Sequence, residues 1–168
     1  MKGLRKYLTP FAPDQSGAVS VLYELGGMLV ICDAGGCTGN VCGFDEQDGL
    51  KTRSAVFSAG LRDMDAILGR DDRLVAKLTD AAEKLDVTFA AVIGTPVPAV
   101  IGTDYRALER MLSKKTDLSV LTVNTDGMEL YDKGEEKAYL ALFEKFSDKN
   151  EESEDMNDKD RPHIGIIA

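Results

Sequence analysis

Four short apolar runs recur along this chain, and segments with helical periodicity separate them. The runs are apolar at consecutive positions, which is typical of strands that are covered on both faces. They are Met28–Asp33, Ala55–Ser58, Phe89–Gly94 and Ser119–Val123. Apolar residues three and four apart predict helices over Gly17–Leu25, Asp63–Leu68, Asp71–Leu85, Asp104–Lys115 and Gly134–Phe146. The alternation predicts an α/β fold, a three-layer Rossmann-like domain with a mainly parallel sheet flanked by helices.

The composition of the chain changes at Ser147. Residues 147–160 hold seven acidic and two basic residues, which is typical of a solvated linker. We therefore expect residues 1–146 to form the α/β domain and 147–160 to form an acidic linker. Residues 161–168 contain a new apolar run, His163 to Ala168. This run either caps the same sheet or is the first strand of a second domain, and we favour the second interpretation.

Charge and cysteine content exclude several classes of function. The chain has 168 residues and a formal net charge of -9, which argues against nucleic acid and against an anionic membrane surface as partners. No apolar run approaches the ~20 residues that span a bilayer. The three cysteines suit a reducing compartment better than a disulfide scaffold, so we expect a cytoplasmic protein. A single histidine, His163, gives little support for a catalytic triad.

The residues best suited to bind a cofactor lie in the loop after the first predicted strand. In parallel sheets, ligands gather at the carboxyl ends of the strands, where the predicted loops are 34–43, 95–103 and 124–134. The first of these carries Cys37 and Cys42, and thiolate is a soft ligand for iron, zinc or an iron–sulfur cluster. Gly35 and Gly36 would let the backbone approach a cofactor closely. The alternative is that both thiols are small packing residues in a glycine-rich turn.

Other residues have simpler interpretations. Cys32 lies within a strand and is expected to be a core thiol, while Asp104 is expected to cap the helix that follows it. Asp14 is a loop carboxylate whose simplest environment is solvent. A nucleotide-binding loop is disfavoured, because the segment lacks the phosphate-binding patterns and because residues 40–53 look too polar and glycine-containing for the required helix.

Four segments, taken together and in order, resemble the N-terminal domain of nitrogenase component 1 type subunits. They are Pro10–Ala18 with its Pro-Asp-Gln-Ser-Gly-Ala sequence, Asp33-Ala-Gly-Gly-Cys37, Ser54–Asp63, and Ala99-Val-Ile-Gly-Thr-Asp104. The resemblance covers about residues 7 to 146. It implies a subunit of a nitrogenase-like oxidoreductase that passes electrons from an ATP-dependent iron protein to an unknown substrate.

The resemblance also implies an iron–sulfur cluster between this chain and a homologous subunit. The family uses up to three cysteines per subunit, and only the middle one is retained here, as Cys37. Asp14 stands near the first position, and Pro96, whose side chain has no ligand atom, stands near the third. The implied metal ligands are therefore Cys37, Asp14 and Cys42, around a cluster simpler than the family's largest, of the [4Fe–4S] type.

A second hypothesis is a non-catalytic scaffold or binding domain of the same fold. Such a domain would hold a partner protein, a metallocofactor or a tetrapyrrole, and the missing third cysteine motivates it. We expect no activity from these 168 residues alone, because half of any interfacial cluster site would be absent.

Overall fold

The computed structural model describes residues 12–45, 54–69 and 71–147. All four predicted strands form there and pair in parallel in the order β2-β1-β3-β4. The strands are β1 Met28–Ile31, β2 Ala55–Ser58, β3 Phe89–Ile93 and β4 Ser119–Val123. The predicted α/β fold with a parallel sheet is confirmed. The predicted linker beyond Ser147 and the predicted strand in 161–168 lie outside the described residues.

Helices cover both faces of this sheet. They are α1 Asp14–Leu22, α2 Gly36–Asn40, α3 Asp63–Leu68, α4 Asp71–Ala82, α5 Pro96–Ile101, α6 Tyr105–Lys115 and α7 Tyr131–Phe146, with a π-helical turn at Val41–Asp45. Helices α1 and α7 pack on one face, together with Leu29 and Ile31 of β1. Helices α4 and α6 pack on the other, together with Met28 and Val30. The residues of β1 are buried throughout, so its unbroken apolar pattern reflects cover on both sides.

Two expected loops contain short helices instead. The loop predicted at 34–43 forms α2 and most of the π-helical turn, and Gly35 enters it with φ +118°, a value that only glycine adopts readily. The loop predicted at 95–103 contains α5, which begins at Pro96. Proline suits the first helical turn because its fixed φ is helical and its missing N–H has no partner there. These two expectations were therefore wrong.

Helices α1 and α7 cross in close contact at the carboxyl edge. A Cβ added at Gly17 would overlap the carbonyl of Tyr131, and one added at Gly134 would overlap the carbonyl of Asp14. Only glycine at both positions allows this approach. Helices α1 and α7 begin at Asp14 and Tyr131, each a few residues before the predicted start and directly after Pro13 and Leu130, which form an antiparallel bridge.

None of the helices in the described ranges is long and apolar enough to cross a membrane.

Candidate functional site

The carboxyl edge of the sheet has a topological switch point between β1 and β3. The chain leaves β1 towards β2 on one side, then crosses back to β3 on the other. Ligands of open parallel sheets bind at such a point, because the two following loops diverge and leave a crevice. Here the loops are the turn that carries Cys37 and the turn at Thr95 and Pro96.

Side-chain hydroxyls fasten the strands together at this edge. Thr95 donates to the carbonyl of Cys32 at 2.8 Å, and Thr125 donates to the carbonyl of Gly94 at 2.7 Å. Both threonines are fully buried. A buried carbonyl without a hydrogen-bond partner costs free energy. These bonds therefore stabilise the strand ends and fix the loops that follow them.

Cys37 lies on α2 and is half-buried against the α1/α7 side of the core. Burial raises the pKa of its thiol, the charge of Asp33 raises it further, and the Thr95 hydroxyl lowers it. Cys42 is exposed on the π-helical turn, and burial followed by Asp33 raises the pKa of its thiol. The structure thus brings Cys37 and Cys42 into the neighbourhood of one carboxylate.

Gly35 and Gly36, the glycines predicted to contact a cofactor, face open space. A Cβ added at either position would meet no atom within 4 Å, and the same holds for Gly39 and Gly43. Packing among the residues that the structure describes therefore does not require glycine at these positions, apart from the positive φ of Gly35. The described residues leave the surface beside Cys37 uncovered.

Asp14 occupies a different environment from the one expected for a loop carboxylate. It is fully buried in the first turn of α1. Its carboxylate accepts the N–H groups of Asp126 and Gly127, at 3.1 and 2.8 Å, and the ammonium of Lys137 lies 3.3 Å away. The expectation of simple solvation is wrong, because this carboxylate fastens the loop after β4 to α1.

Cys32 and Asp104 match their predicted structural roles. Cys32 is 1% exposed, and burial, followed by the charges of Asp71 and Asp33, raises the pKa of its thiol to about 12. Asp104 caps α6 by accepting the N–H of Ala107 at 3.0 Å. Cys32 is among the residues that line a pocket of about 180 Å³ on the α4/α6 face, which neither Cys37 nor Cys42 lines.

The predicted ligands do not form a complete metal site within the part of the chain that is described. No group of three or more histidine, cysteine, aspartate or glutamate side chains there is arranged to hold a metal ion. A [4Fe–4S] cluster takes four protein ligands, and the predicted ligands in the described part of the chain are fewer: the thiols of Cys37 and Cys42 and the already bonded carboxylate of Asp14. These residues therefore fit one side of a shared cluster site and do not fit a cluster held by this chain alone.

Sequence reasoning missed Asp33 as a site residue. Its carboxylate accepts the N–H of Thr38 at 2.8 Å and the hydroxyl of Ser58 at 2.6 Å. The available signal was an aspartate directly after a strand and before a glycine-rich segment, a position that favours capping.

Comparison with known proteins supports the same fold. Two solved structures, titled "Nitrogenase Cp1 at pH 5" and "Nitrogenase Cp1 at pH 6.5", superimpose with TM-scores of 0.70 and 0.68, each at 18% identity. Each match covers 85% of this chain, but only 31% and 30% of the other. The chain thus spans under a third of those structures' length, and at this identity the match shows the fold alone. No curated protein matches the chain.

The family comparison covers almost all of the chain. The sequence model of the family described as nitrogenase component 1 type oxidoreductase matches residues 14–167. This range begins with the buried Asp14 and includes every strand of the sheet. The chain therefore belongs to the nitrogenase component 1 type oxidoreductase family.

Proposed function

We propose that this chain is a subunit of a nitrogenase-like oxidoreductase, in which the turn around Cys37 forms one side of an iron–sulfur site shared with a homologous subunit. The observation that carries the proposal is the position of Cys37, half-buried at the switch point and next to glycines that face open space. The cluster, when bound, would supply electron transfer. The chain's own residues bind it on one side and keep the site rigid.

In this proposal the thiols are the ligands from this chain. Cys37 is the first, and Cys42 on the following turn is the second. Asp14 could ligate only by giving up the N–H groups of Asp126 and Gly127 and its pairing with Lys137. Because breaking a buried charge pair is costly, we assign Asp14 to holding the loop and not to binding metal.

The test is anaerobic co-expression of the full-length protein with its partner subunit, followed by iron analysis and EPR. We expect Cys37→Ala to lose iron and the EPR signal, and Cys42→Ala to lose part of both. Cys32→Ala is the matched control, because that thiol is buried in the core. Equal iron in the wild type and Cys37→Ala would remove Cys37 as a ligand. A colourless complex prepared without air would favour the scaffold hypothesis, which the occupation of the third family position by Pro96 also supports.

We assign docking of the ATP-dependent iron protein to the surface of α3 and α5. This surface presents Met64, Ile67 and Leu68 on α3, and Val97, Val100 and Ile101 on α5, all exposed. Val100 is 86% exposed, and exposed apolar patches of this kind are typical of binding sites. The carboxylates Asp63, Asp71 and Asp72 lie at the starts of α3 and α4.

Charge insertion tests this docking surface. We expect Val100→Asp to abolish pull-down of the iron protein without changing the iron content of the complex. Leu140→Asp is the control, because Leu140 is also exposed, at 57%, but lies on α7. Equal pull-down by the two variants would contradict the assignment.

We also propose that the α/β domain ends with α7, and that residues beyond it lead into a separate unit. Helix α4 connects β2 to β3 and α6 connects β3 to β4, both on one face of the sheet. Helix α7 follows β4 and packs with α1 on the opposite face. A right-handed crossover from β4 through α7 would lead back over β3, a position that is already filled. A next parallel strand outside β4 would need the rare left-handed connection.

Limited proteolysis of the full chain tests this boundary. We expect early cleavage within residues 148–160 and a stable fragment that ends after α7. Protection of this segment would indicate that residues 161–168 belong to the sheet described here.

A further inference from the structure

Asp33 connects three elements at the carboxyl edge. The residue is 1% exposed, and its carboxylate holds α2 through Thr38 and the end of β2 through Ser58. Its carbonyl accepts the N–H of Leu61 at 2.8 Å. One buried side chain therefore joins the end of β1, the end of β2 and the helix that carries Cys37.

Helix α2 packs against the core through Cys37, but its first turn has no side-chain cap from its own N-cap residue. It is five residues long, and its N-cap, Gly35, has no side chain to satisfy the first N–H groups. A helix this short is not stable by itself in water. Among the described residues, nothing lies within 4 Å of a Cβ added at Gly36 or Gly39, and these glycines raise the entropy lost on ordering the turn. The bond from Asp33 to Thr38 therefore fixes the first turn of α2, next to Cys37, and acts together with the packing of Cys37 against the core.

We propose that Asp33 is the positioning residue for Cys37, holding the thiol at the open edge through its paired bonds to Thr38 and Ser58. The functional meaning of this role rests on the proposed shared cluster site. A cluster shared by two chains requires each ligand to be in place before the surfaces meet, because ordering a loose turn lowers affinity.

A nitroxide spin label on Cys37, in a Cys42→Ser background of the full chain, tests the positioning directly. Cys32 is buried and is not expected to react. We expect Asp33→Ala to shorten the rotational correlation time of the label several-fold. Asp33→Asn should keep the label immobilised, because an amide can accept from Thr38 and donate to the Ser58 oxygen.

Asp104→Ala is the matched control, because it removes a similar carboxylate cap from α6 but is not bonded to the Cys37 turn. The label should remain immobilised in this variant. If Asp33→Ala does not fold, Ser58→Ala removes one of the two bonds and should give intermediate mobility. The proposal is overturned if these Asp33 and Ser58 variants leave the label immobile, if Asp33→Asn is as mobile as Asp33→Ala, or if Asp104→Ala mobilises the label equally.

Iron analysis of the complex with the partner subunit separates this proposal from the proposed function. We expect Asp33→Ala to lose as much iron as Cys37→Ala, and Asp33→Asn to restore it. A wild-type complex without iron would contradict the proposed function and leave the spin-label result standing. Full iron in Asp33→Ala would contradict the functional role of the positioning.

Discussion

Two regions at the carboxyl edge of this sheet contain glycines, and close packing requires glycine in only one of them. At the crossing of α1 and α7, Gly17 and Gly134 are required because any side chain would overlap backbone atoms of the facing helix. In the Cys37 turn, positions such as Gly36 and Gly39 face open space. Each region is held by one buried aspartate, Asp14 in the first and Asp33 in the second.

This difference indicates that the two regions have different roles, one in stability and one in binding. Among the described residues, the glycines of the α1–α7 crossing face the backbone of the opposite helix, and its carboxylate is paired with the loop after β4 and with Lys137. The Cys37 turn is fixed on its inner side by Asp33 but has no partner on its outer side within the residues described. We infer that the first region stabilises the domain and that the second is available to another molecule.

The largest expected change in stability follows from a substitution at the α1–α7 crossing. Gly134→Ala should lower the free energy of unfolding by about 3 kcal/mol or more, because the added methyl group overlaps the Asp14 carbonyl and both helices must move apart. Urea denaturation measures the change. A loss below about 1 kcal/mol would mean that the helices separate easily and that the crossing is not rigid.

The next effect distinguishes the two aspartates. Asp14→Asn should lower the free energy of unfolding by about 2 kcal/mol, because the amide accepts fewer N–H groups and leaves Lys137 without part of its pairing. Iron content of the complex should stay unchanged, whereas Asp33→Ala should lower it. Loss of iron in Asp14→Asn, at wild-type stability, would restore Asp14 as a ligand.

The pH dependence of the unfolding free energy tests the burial of the core thiol, Cys32. Cys32 has a pKa of about 12 in the folded chain against an ordinary value near 9 when unfolded. Its contribution to stability is therefore complete below about pH 9 and is lost as the pH rises towards 12, with a loss on the order of 2 kcal/mol by about pH 11.

The control for this titration is Cys32→Ala, whose unfolding free energy should fall less between pH 9 and pH 11. Chemical denaturation at each pH gives the difference between the two proteins. Parallel curves would mean that Cys32 ionises equally in the folded and unfolded chains.

The smallest effect is expected in the Cys37 turn itself. Gly39→Ala should change stability by less than about 1 kcal/mol, and in the stabilising direction, because alanine favours the helical conformation and meets open space. Its effect on assembly should be larger than its effect on the isolated chain, and co-purification with the partner subunit measures it. Unchanged assembly would mean that the partner does not approach Gly39.

The strands and the fold class could be predicted because they depend on local pattern. Ala55–Ser58 was predicted with the bounds that the structure has, and the cap at Asp104 followed from its place before a helix. The helices after Gly35 and Thr95 could not be predicted so readily. Their sequences are rich in glycine or proline, and contacts with the surrounding fold hold them in place. For α2, one such contact is the bond from Asp33 to Thr38.

The candidate site was predictable only in part. Cys37 could be found from its glycine-rich context and from the resemblance to the family. The partners of Asp14 could not, because Asp126 and Gly127 lie more than a hundred positions away. The same holds for Asp33, whose bond to Ser58 joins two strands that are separated in sequence.

The sequence by itself determined the alternation of strands and helices, the burial of both sheet faces and the family, since these follow from residue types at short spacing. Only the tertiary structure decided which carboxylate holds which loop and which glycines face open space. Those properties depend on contacts between residues that are distant in the chain, and local preference contains no information about such contacts.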